Sequence, residues 1–345
     1  MADVICLGEA LIDFVSLESG VDLIQAPGFM KAPGGAPANV ACGVAKLGVS
    51  SAFIGKVGDD PFGRFLERTF AGAGVDTSRM VFAEEARTGL AFVSLTSEGD
   101  RDFAFWRNPS ADMLLNPHEI DEAFIAAGKV FHFGSITRIV EPSRSATLRA
   151  IEVARQNGLL ISYDPNLRES LWDSLEHAKQ EMIAGLENCD LLKVSEEELA
   201  LITGERDIPP AAAQLVEQGI ALVSVTRGPQ GCYYANANGA GWVEGHEVSV
   251  ADTTGCGDGF VAGMIVKALA SASPPGELNE DELRDTFVYA NAVGALTATQ
   301  KGAIPALPTP ERVEQFLADT SQADAPPRHV STSQSNSGGN RTCLS

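Results

Sequence analysis

The sequence predicts an α/β protein: a mostly parallel central sheet covered by helices on both faces, with a small β-sheet set apart as a lid. Three observations carry this. Short continuous apolar runs at 130–133 (VFHF), 159–163 (LLISY), 191–194 (LLKV) and 222–226 (LVSVT) are separated by helix-length segments. That is the pattern of strands buried on both faces and joined by crossover helices. Two glycine-rich turns, 32–39 (APGGAPAN) and 252–263 (DTTGCGDGFVAG), each lead into a helix of small or apolar residues. The segment 88–106 instead reads as two strands around a polar turn at 97–100 (SEGD), a hairpin outside the βα repetition.

Taken in order, 4–7 (VICL) is a buried strand and 8–13 (GEALID) carries the chain out of it. Asp13, at the end of an apolar run, is either a ligand-binding acid or a turn residue. The stretch 14–31 reads as a hairpin that joins 88–107 in the lid. Gly34 and Gly35 open a turn, and Pro37 suits the first turn of a small-residue helix over 38–47. Asn39 is either a cap of that helix or an amide that binds hydroxyls. A strand at 51–57 and a helix to 71 follow. Arg107, just past the second hairpin, either grips a substrate or is a solvated edge charge. His132, inside an apolar strand, reads as a core residue. The segments 164–168 (DPNLR), 195–198 (SEEE) and 227–231 (RGPQG) fall past strand ends, where open α/β sheets bind ligands. A helix over 281–299 carries Asn291. One domain is expected over 1–318, and a Ser-, Asn-, Gly- and Pro-rich tail over 319–345 is expected to be disordered.

At 345 residues, with 44% hydrophobic and 21% charged residues, the chain can bury a full core. A formal charge of −21 argues against nucleic acid or an anionic membrane surface as partner. No apolar run reaches membrane-spanning length and the N-terminus reads directly as a strand, so a cytoplasmic location is expected. Six cysteines (Cys6, Cys42, Cys189, Cys232, Cys256, Cys343) are scattered without metal-ligand spacing, which indicates neither a zinc site nor a disulfide framework. A polyanion such as ATP remains compatible with the acidic exterior, given Mg²⁺, helix N-termini and one or two cationic side chains.

The second glycine-rich turn carries the chemistry. Gly255, Gly257, Gly259 and the small Cys256 leave little bulk between backbone and ligand, and the helix that follows turns its amides and positive dipole end toward an anion. Asp258 stands beside that anion. A carboxylate there is electrostatically costly, which points to a base that takes a proton from an attacking hydroxyl. The alternative is a tight turn with Asp258 as helix cap.

The pairing of GGAPANVACGVAKLG (34–48) with DTTGCGDGFVAG (252–263) resembles the two signatures of the ribokinase-like (PfkB) sugar kinase family, over roughly residues 3–318. Within that family FWRNPSADMLL (105–115), DPNLR (164–168) and GAIPALPT (302–309) are most similar to fructokinases. The resemblance implies a three-layer α/β/α sandwich with a β-sheet lid. It also implies ATP-dependent phosphorylation of a sugar hydroxyl, D-fructose to fructose 6-phosphate above all. By the same resemblance Asp258 is the general base and the amides of Gly255, Cys256 and Gly257 form the anion hole. Asp13, Gly34, Gly35, Asn39, Arg107 and Arg168 hold the sugar. Lys193, Ser195, Thr226, Gly228, Gly231 and Asn291 line the nucleotide site. Glu198 lies near the waters of Mg²⁺, and Asp252, Thr254, Thr297, Gln300 and Gly302 resemble a K⁺ site. A lid sheet with an exposed apolar face needs covering in the resting protein, so a homodimer through the lid is expected.

Two departures from the family pattern stand out. Ser195 replaces the usual Asn of an Asn-x-x-Glu motif, and Cys256 replaces an Ala, placing an oxidisable thiol at the anion hole. The helix N-terminus is expected to lower the Asp258 pKa. Other kinases of the family remain alternatives: ribokinase-like, adenosine-kinase-like, or a 2-keto-3-deoxygluconate kinase using Arg107 or Arg168 for the carboxylate. A non-catalytic binding module is the reading from another class.

Overall fold

The computed structural model describes residues 1–18, 20–95 and 101–323. The expected turn at 97–100, the chain from 324 to 345 and Cys343 lie outside the described residues. The strands are β1 (Val4–Leu7), β2 (Leu11–Ser16), β3 (Phe29–Gly34), β4 (Ser51–Gly58), β5 (Met80–Ala83), β6 (Gly89–Leu95), β7 (Arg101–Trp106), β8 (Val130–Phe133), β9 (Leu160–Tyr163), β10 (Leu191–Ser195), β11 (Leu222–Thr226), β12 (Cys232–Ala235) and β13 (Ala240–Val243). The helices are α1 (Ala36–Lys46), α2 (Pro61–Gly72), α3 (Glu122–Ala126), α4 (Ser143–Gln156), α5 (Leu175–Leu186), α6 (Glu196–Thr203), α7 (Ile208–Glu217), α8 (Cys256–Ala270), α9 (Glu280–Thr297), α10 (Ala303–Ala306) and α11 (Pro310–Ala323).

Among the described residues the large sheet runs β13-β12-β11-β10-β9-β8-β1-β4-β5, parallel from β5 to β11 and closed at one edge by the antiparallel β12 and β13. Each parallel strand alternates between two cores. Val4 and Cys6 of β1 pack with α1, α8 and α9, while Ile5 and Leu7 pack with α4 on the other face. Leu191 and Leu192 of β10 divide in the same way. A strand buried on both faces has no polar face to show, which is why these strands read as unbroken apolar runs. The period of two also places polar residues: Lys193 and Ser195 share the face of Leu191, toward α8, as Ser162 and Asp164 share that of Leu160. The three-layer α/β/α sandwich is as expected. The expected strands and helices are all present, while β5, β12 and β13 were not foreseen.

The second sheet, β3-β2-β6-β7, joins the two expected hairpins by parallel pairing of β2 with β6. One face stacks Phe14 on Phe92, with Phe29 and Trp106 edge-on to Phe92, and reaches Phe62 of α2. The opposite face sets Asp13 between its strand partners Ala32 and Ala91. Asp60 anchors the base of this sheet. Its Oδ1 accepts from the first amides of α2, at Phe62 and Gly63, and its Oδ2 accepts from Thr88 N at 2.9 Å.

Helix α11 runs five residues past the expected domain end at 318, and Thr320 Oγ1 donates to Phe316 O at 3.0 Å within it. The polar composition after Leu317 hid this last turn, because its stability comes from the helix to which it is attached. His132 lies in the core, with Nδ1 3.0 Å from Ser162 Oγ, and burial pulls its pKa down to about 3. Cys6, Cys42, Cys189 and Cys232 are buried, and Cys256 is half-buried.

One polar element of the core carries a testable cost. Arg138, 1% exposed, donates through Nε and Nη2 to Glu181 Oε2, whose other oxygen accepts from Arg144 Nε at 3.0 Å. Removing one partner strands a buried charge. Glu181→Ala is expected to destabilise the fold by about 3–5 kcal/mol, read as a lowered midpoint in urea. An unchanged midpoint would show that water reaches Arg138.

Candidate active site

The two glycine-rich segments meet where the sheet order reverses, between β1 and β8, at the carboxyl ends of the strands. In the first, β3 ends at Gly34 and Gly35 takes φ 111° as the residue before α1. A side chain on Gly35 would place its Cβ 2.3 Å from Glu9 O, so glycine is required there twice over. Glu9 Oε1 in turn accepts from Ala36 N at 2.9 Å and fixes the start of α1. A Cβ on Gly34 would fall 2.4 Å from Asp13 Oδ2, so the turn lies directly against that carboxylate.

In the second, Gly255 takes φ 80° before α8, and Asp258 sits in the first turn of that helix. The first amides of a helix have no intrahelical acceptor and face the ligand side. Cys256 N is weakly engaged, at 3.4 Å from Thr253 O. Lys193 approaches the same turn: a Cβ on Gly257 would lie 3.3 Å from its Nζ. Lys193 also pairs with Asp164 at 3.1 Å. Burial works against the lysine charge, but Asp164 and Glu198 outweigh it and hold its pKa above the usual value.

Asn39 Nδ2 donates to Asp258 Oδ2 at 2.8 Å, which ties α1 to α8 across the site. Asn39 is an interior residue of α1, so it does not cap its own helix. Its Oδ1 is buried without a hydrogen-bond partner among the described residues. A buried orphan acceptor is costly unless a ligand supplies a donor, and a hydroxyl does so. Asp258 is no helix cap either, because Gly255 occupies that position without a side-chain bond.

The expected lowering of the Asp258 pKa is corrected. Burial raises it to about 6, and the charge of Asp164 adds to the rise, while the Asn39 hydrogen bond, Lys193 and Arg168 pull it down. The helix N-terminus loses to desolvation because the carboxylate is 7% exposed.

The remaining expected residues fall into groups. Asn166 adopts φ 48° and its amide donates to Asp164 Oδ1, a local turn that brings Leu167 N to within 2.7 Å of Glu198 Oε1. Arg168 leaves this turn half-buried, its Nη1 bonded to Leu167 O at 3.0 Å. Ser195 and Glu198 form a capping box at α6, with Glu198 Oε2 accepting from Ser195 N at 2.8 Å. Both Glu198 oxygens therefore serve backbone amides, leaving only second lone pairs for a metal-bound water. Arg107 is not a solvated edge charge: it is buried and paired with Asp112. It opens on one side to a cavity of about 400 Å³ shared with Phe105, Asn108, Ile139 and Leu171.

Of the residues expected to line a nucleotide, Thr226 Oγ1 donates to Val194 O, and Gly228 and Gly231 take φ 55° and 90° in the turn after β11. Asn291 Nδ2 reaches Val243 O and Glu244 O, both at 3.3 Å. Asp252 gathers two loops: Oδ1 accepts from Thr254 N and Oγ1, and Oδ2 accepts from Gly302 N at 2.9 Å. Both Asp252 oxygens are thus engaged by donors of the two loops they join. Thr297 is buried and donates its hydroxyl to Val293 O, and Gln300 is exposed. A cavity of about 160 Å³ separates this loop from Val15, Met30, Ala32 and Val93 of the small sheet.

Glu9, Asp112 and Asp164 join the site without having been singled out in the sequence. Asp164 was detectable, since it is the first polar residue past β9 on the face of Lys193. Asp112 lies in the FWRNPSADMLL segment, whose sequence does not by itself show the pairing with Arg107, and Glu9 meets the site through Ala36 N, 27 residues on, with no local signal.

Comparison with known proteins agrees with this geometry. The model of the pfkB family carbohydrate kinases matches residues 1–310. Fructokinase-1 of Oryza sativa subsp. japonica is 48% identical over 315 residues, covering 91% of this chain and 97% of that protein. The crystal structure of fructokinase from Xylella fastidiosa with bound ATP superposes with a TM-score of 0.84 at 33% identity, over 93% of this chain and 100% of that one. Fructokinase from Vibrio cholerae, in a form with fructose, ADP and calcium ion, gives 0.82 at 37% identity, over 92% and 99%. With both glycine-rich turns, the ribokinase-like fold and the full-length match in agreement, the chain belongs to the pfkB family of carbohydrate kinases.

Proposed function

We propose that this protein transfers the γ-phosphoryl group of ATP to the 6-hydroxyl of D-fructose, with Asp258 as general base. The observation that carries the reading is the buried Asp258–Asn39 pair at the N-terminus of α8, with Asn39 Oδ1 lacking a donor. The names and bound ligands of the related fructokinases support the choice of sugar and nucleotide.

In this mechanism Asn39 Oδ1, Asp13 and the Gly34–Gly35 turn orient the sugar, so that its hydroxyl lies beside Asp258. The hydroxyl oxygen bonds to the γ-phosphorus, its proton passes to Asp258, and the bond to the β-phosphate oxygen breaks to release ADP. The amides at Gly255, Cys256 and Gly257, with Lys193 beside them, receive the charge on the transferring oxygens. Mg²⁺ bound with ATP neutralises phosphate charge, with Glu198 placed to accept from a metal-bound water. Asp252, which already ties the 252–254 and 298–302 segments together before α8, would be the anionic group for K⁺, supplying charge balance there. The reading includes a cytoplasmic location, where ATP is supplied.

Asp258→Asn is expected to lower kcat by about 10²- to 10⁴-fold, because the amide keeps the shape and the Asn39 bond but cannot take the proton. The same variant is expected to melt higher at pH 8. The fold raises the pKa of this carboxyl, so native stability falls as pH rises from the ordinary value of 3.8 to about 6 and the full penalty stands at pH 8, and the amide removes it. Full activity in Asp258→Asn, confirmed by product analysis with ATP and fructose, would refute the assignment of the base.

The pH dependence follows with a definite sign. Log kcat/KM for fructose should fall with unit slope as pH drops through about 6, where Asp258 takes up its proton. A plateau that extends down to pH 4 would contradict the raised pKa.

The reading also includes a homodimer through the small sheet. Leu17, Ile24, Met30 and Trp106 are 64%, 94%, 44% and 61% exposed, and all four lie on this sheet or its connecting loop. An apolar surface of that kind is covered in a stable soluble protein. Light scattering at micromolar concentration is expected to give twice the chain mass, and Trp106→Asp to shift it toward the monomer. A monomeric wild type would remove the dimer from the account.

A further inference from the structure

Arg107, which the family resemblance places at the sugar, borders the cavity of about 400 Å³, and its charge is already matched. Nε donates to Asp112 Oδ2 at 3.0 Å and Nη2 donates to the same oxygen. Asp112 Oδ1 accepts the Ser110 hydroxyl, so both carboxylate oxygens are committed. The side chains are 5% and 1% exposed. Glu9 faces the pair from β1's carboxyl end, and burial pushes its pKa up to about 7 against the pull of Ala36 N and Arg107. Arg107 Nη1 makes no hydrogen bond among the described residues, and the guanidinium borders the cavity of about 400 Å³.

An unmatched guanidinium in such a position is a receptor for a carboxylate. Matched by Asp112, it offers the cavity a directed N–H without net positive charge. A sugar hydroxyl takes that bond well, whereas the carboxylate of a sugar acid would bring a second negative charge beside Asp112 in a poorly hydrated site. Arg168 does not line this cavity.

We propose that Asp112 sets the sugar site for uncharged sugars by neutralising Arg107, and so excludes sugar acids such as 2-keto-3-deoxygluconate. Discrimination of this kind works through a repulsive element and not only through a better fit for the accepted substrate. Asp112 touches no substrate; it is a positioning and charge-matching residue acting through Arg107. The inference rests on the sugar kinase reading.

The test compares kcat/KM for fructose and for 2-keto-3-deoxygluconate, with ATP, in wild type, Asp112→Asn and the double variant Arg107→Gln/Asp112→Asn. The proposal expects the wild type to favour fructose, and Asp112→Asn to shift the ratio toward the acid by about tenfold or more, the scale of one uncovered charge pair. The double variant, which has neither charge, should lose that gain. Should Asp112→Asn fail to fold, Asp112→Ser exposes the same charge while keeping a hydroxyl for Arg107. A purely structural role for Asp112 would lower both substrates alike and leave the ratio fixed, which overturns the proposal. A wild type that phosphorylates the acid as well as fructose also overturns it, while leaving the sugar kinase reading intact. One that phosphorylates neither overturns the functional reading, and this inference with it.

Discussion

The hydrogen bond from Asn39 to Asp258 is the constraint on which the site depends. It joins residues 219 positions apart, on two helices that begin in glycine-rich turns and pack on the same face of the sheet. Each turn is shaped by its own glycine, Gly35 against Glu9 O and Gly255 against Ala303, so a side chain at either would push its helix off position. The bond ties the carboxylate to α1 and leaves the far oxygen of Asn39 buried without a hydrogen-bond partner among the described residues. Preorganisation of this kind removes an entropy cost from the reacting complex.

The electrostatics follow from the same packing. Helix α8 brings Asp258 out of water beside Asp164, and a carboxylate so placed resists ionisation. Lys193 and Arg168 restrain that rise, and Lys193 also lies at the amides of the helix start. A protein of net charge −21 can thus accept a polyanion, since the local field at α8 is set by a few buried groups and a helix dipole. Glu198 and Asp252 extend the pattern: each carboxylate spends its oxygens on backbone amides, and each holds a loop bordering the site. Their first effect is to fix loops, and any metal is met by atoms already oriented.

Much of the fold was legible because burial on both faces leaves its mark on composition. The runs at β8 to β11 are apolar throughout, and crossover helices of ordinary length separate them. The antiparallel β12 and β13 were less visible: Ala240 to Val243 is a half-exposed edge with glycine in it. The turns at Gly35 and Gly255 were legible for a related reason, since glycines at such positions have few other structural uses. What the sequence concealed was environment. The direction of the Asp258 pKa shift depends on depth of burial and on Asp164, and the partner of Arg107 depends on a turn of chain folding back by five residues. Neither is a property of local pattern, and both decide how the site behaves.

The claim at the centre of this account is that the fold makes Asp258 a base of raised pKa. The most direct measurement is the titration of its carboxyl carbon, by ¹³C NMR of aspartate-labelled protein, identified as the resonance missing from Asp258→Asn. The account predicts a midpoint near 6 in the ligand-free protein. A midpoint at or below about 4, the range of an ordinary solvated aspartate, would contradict it.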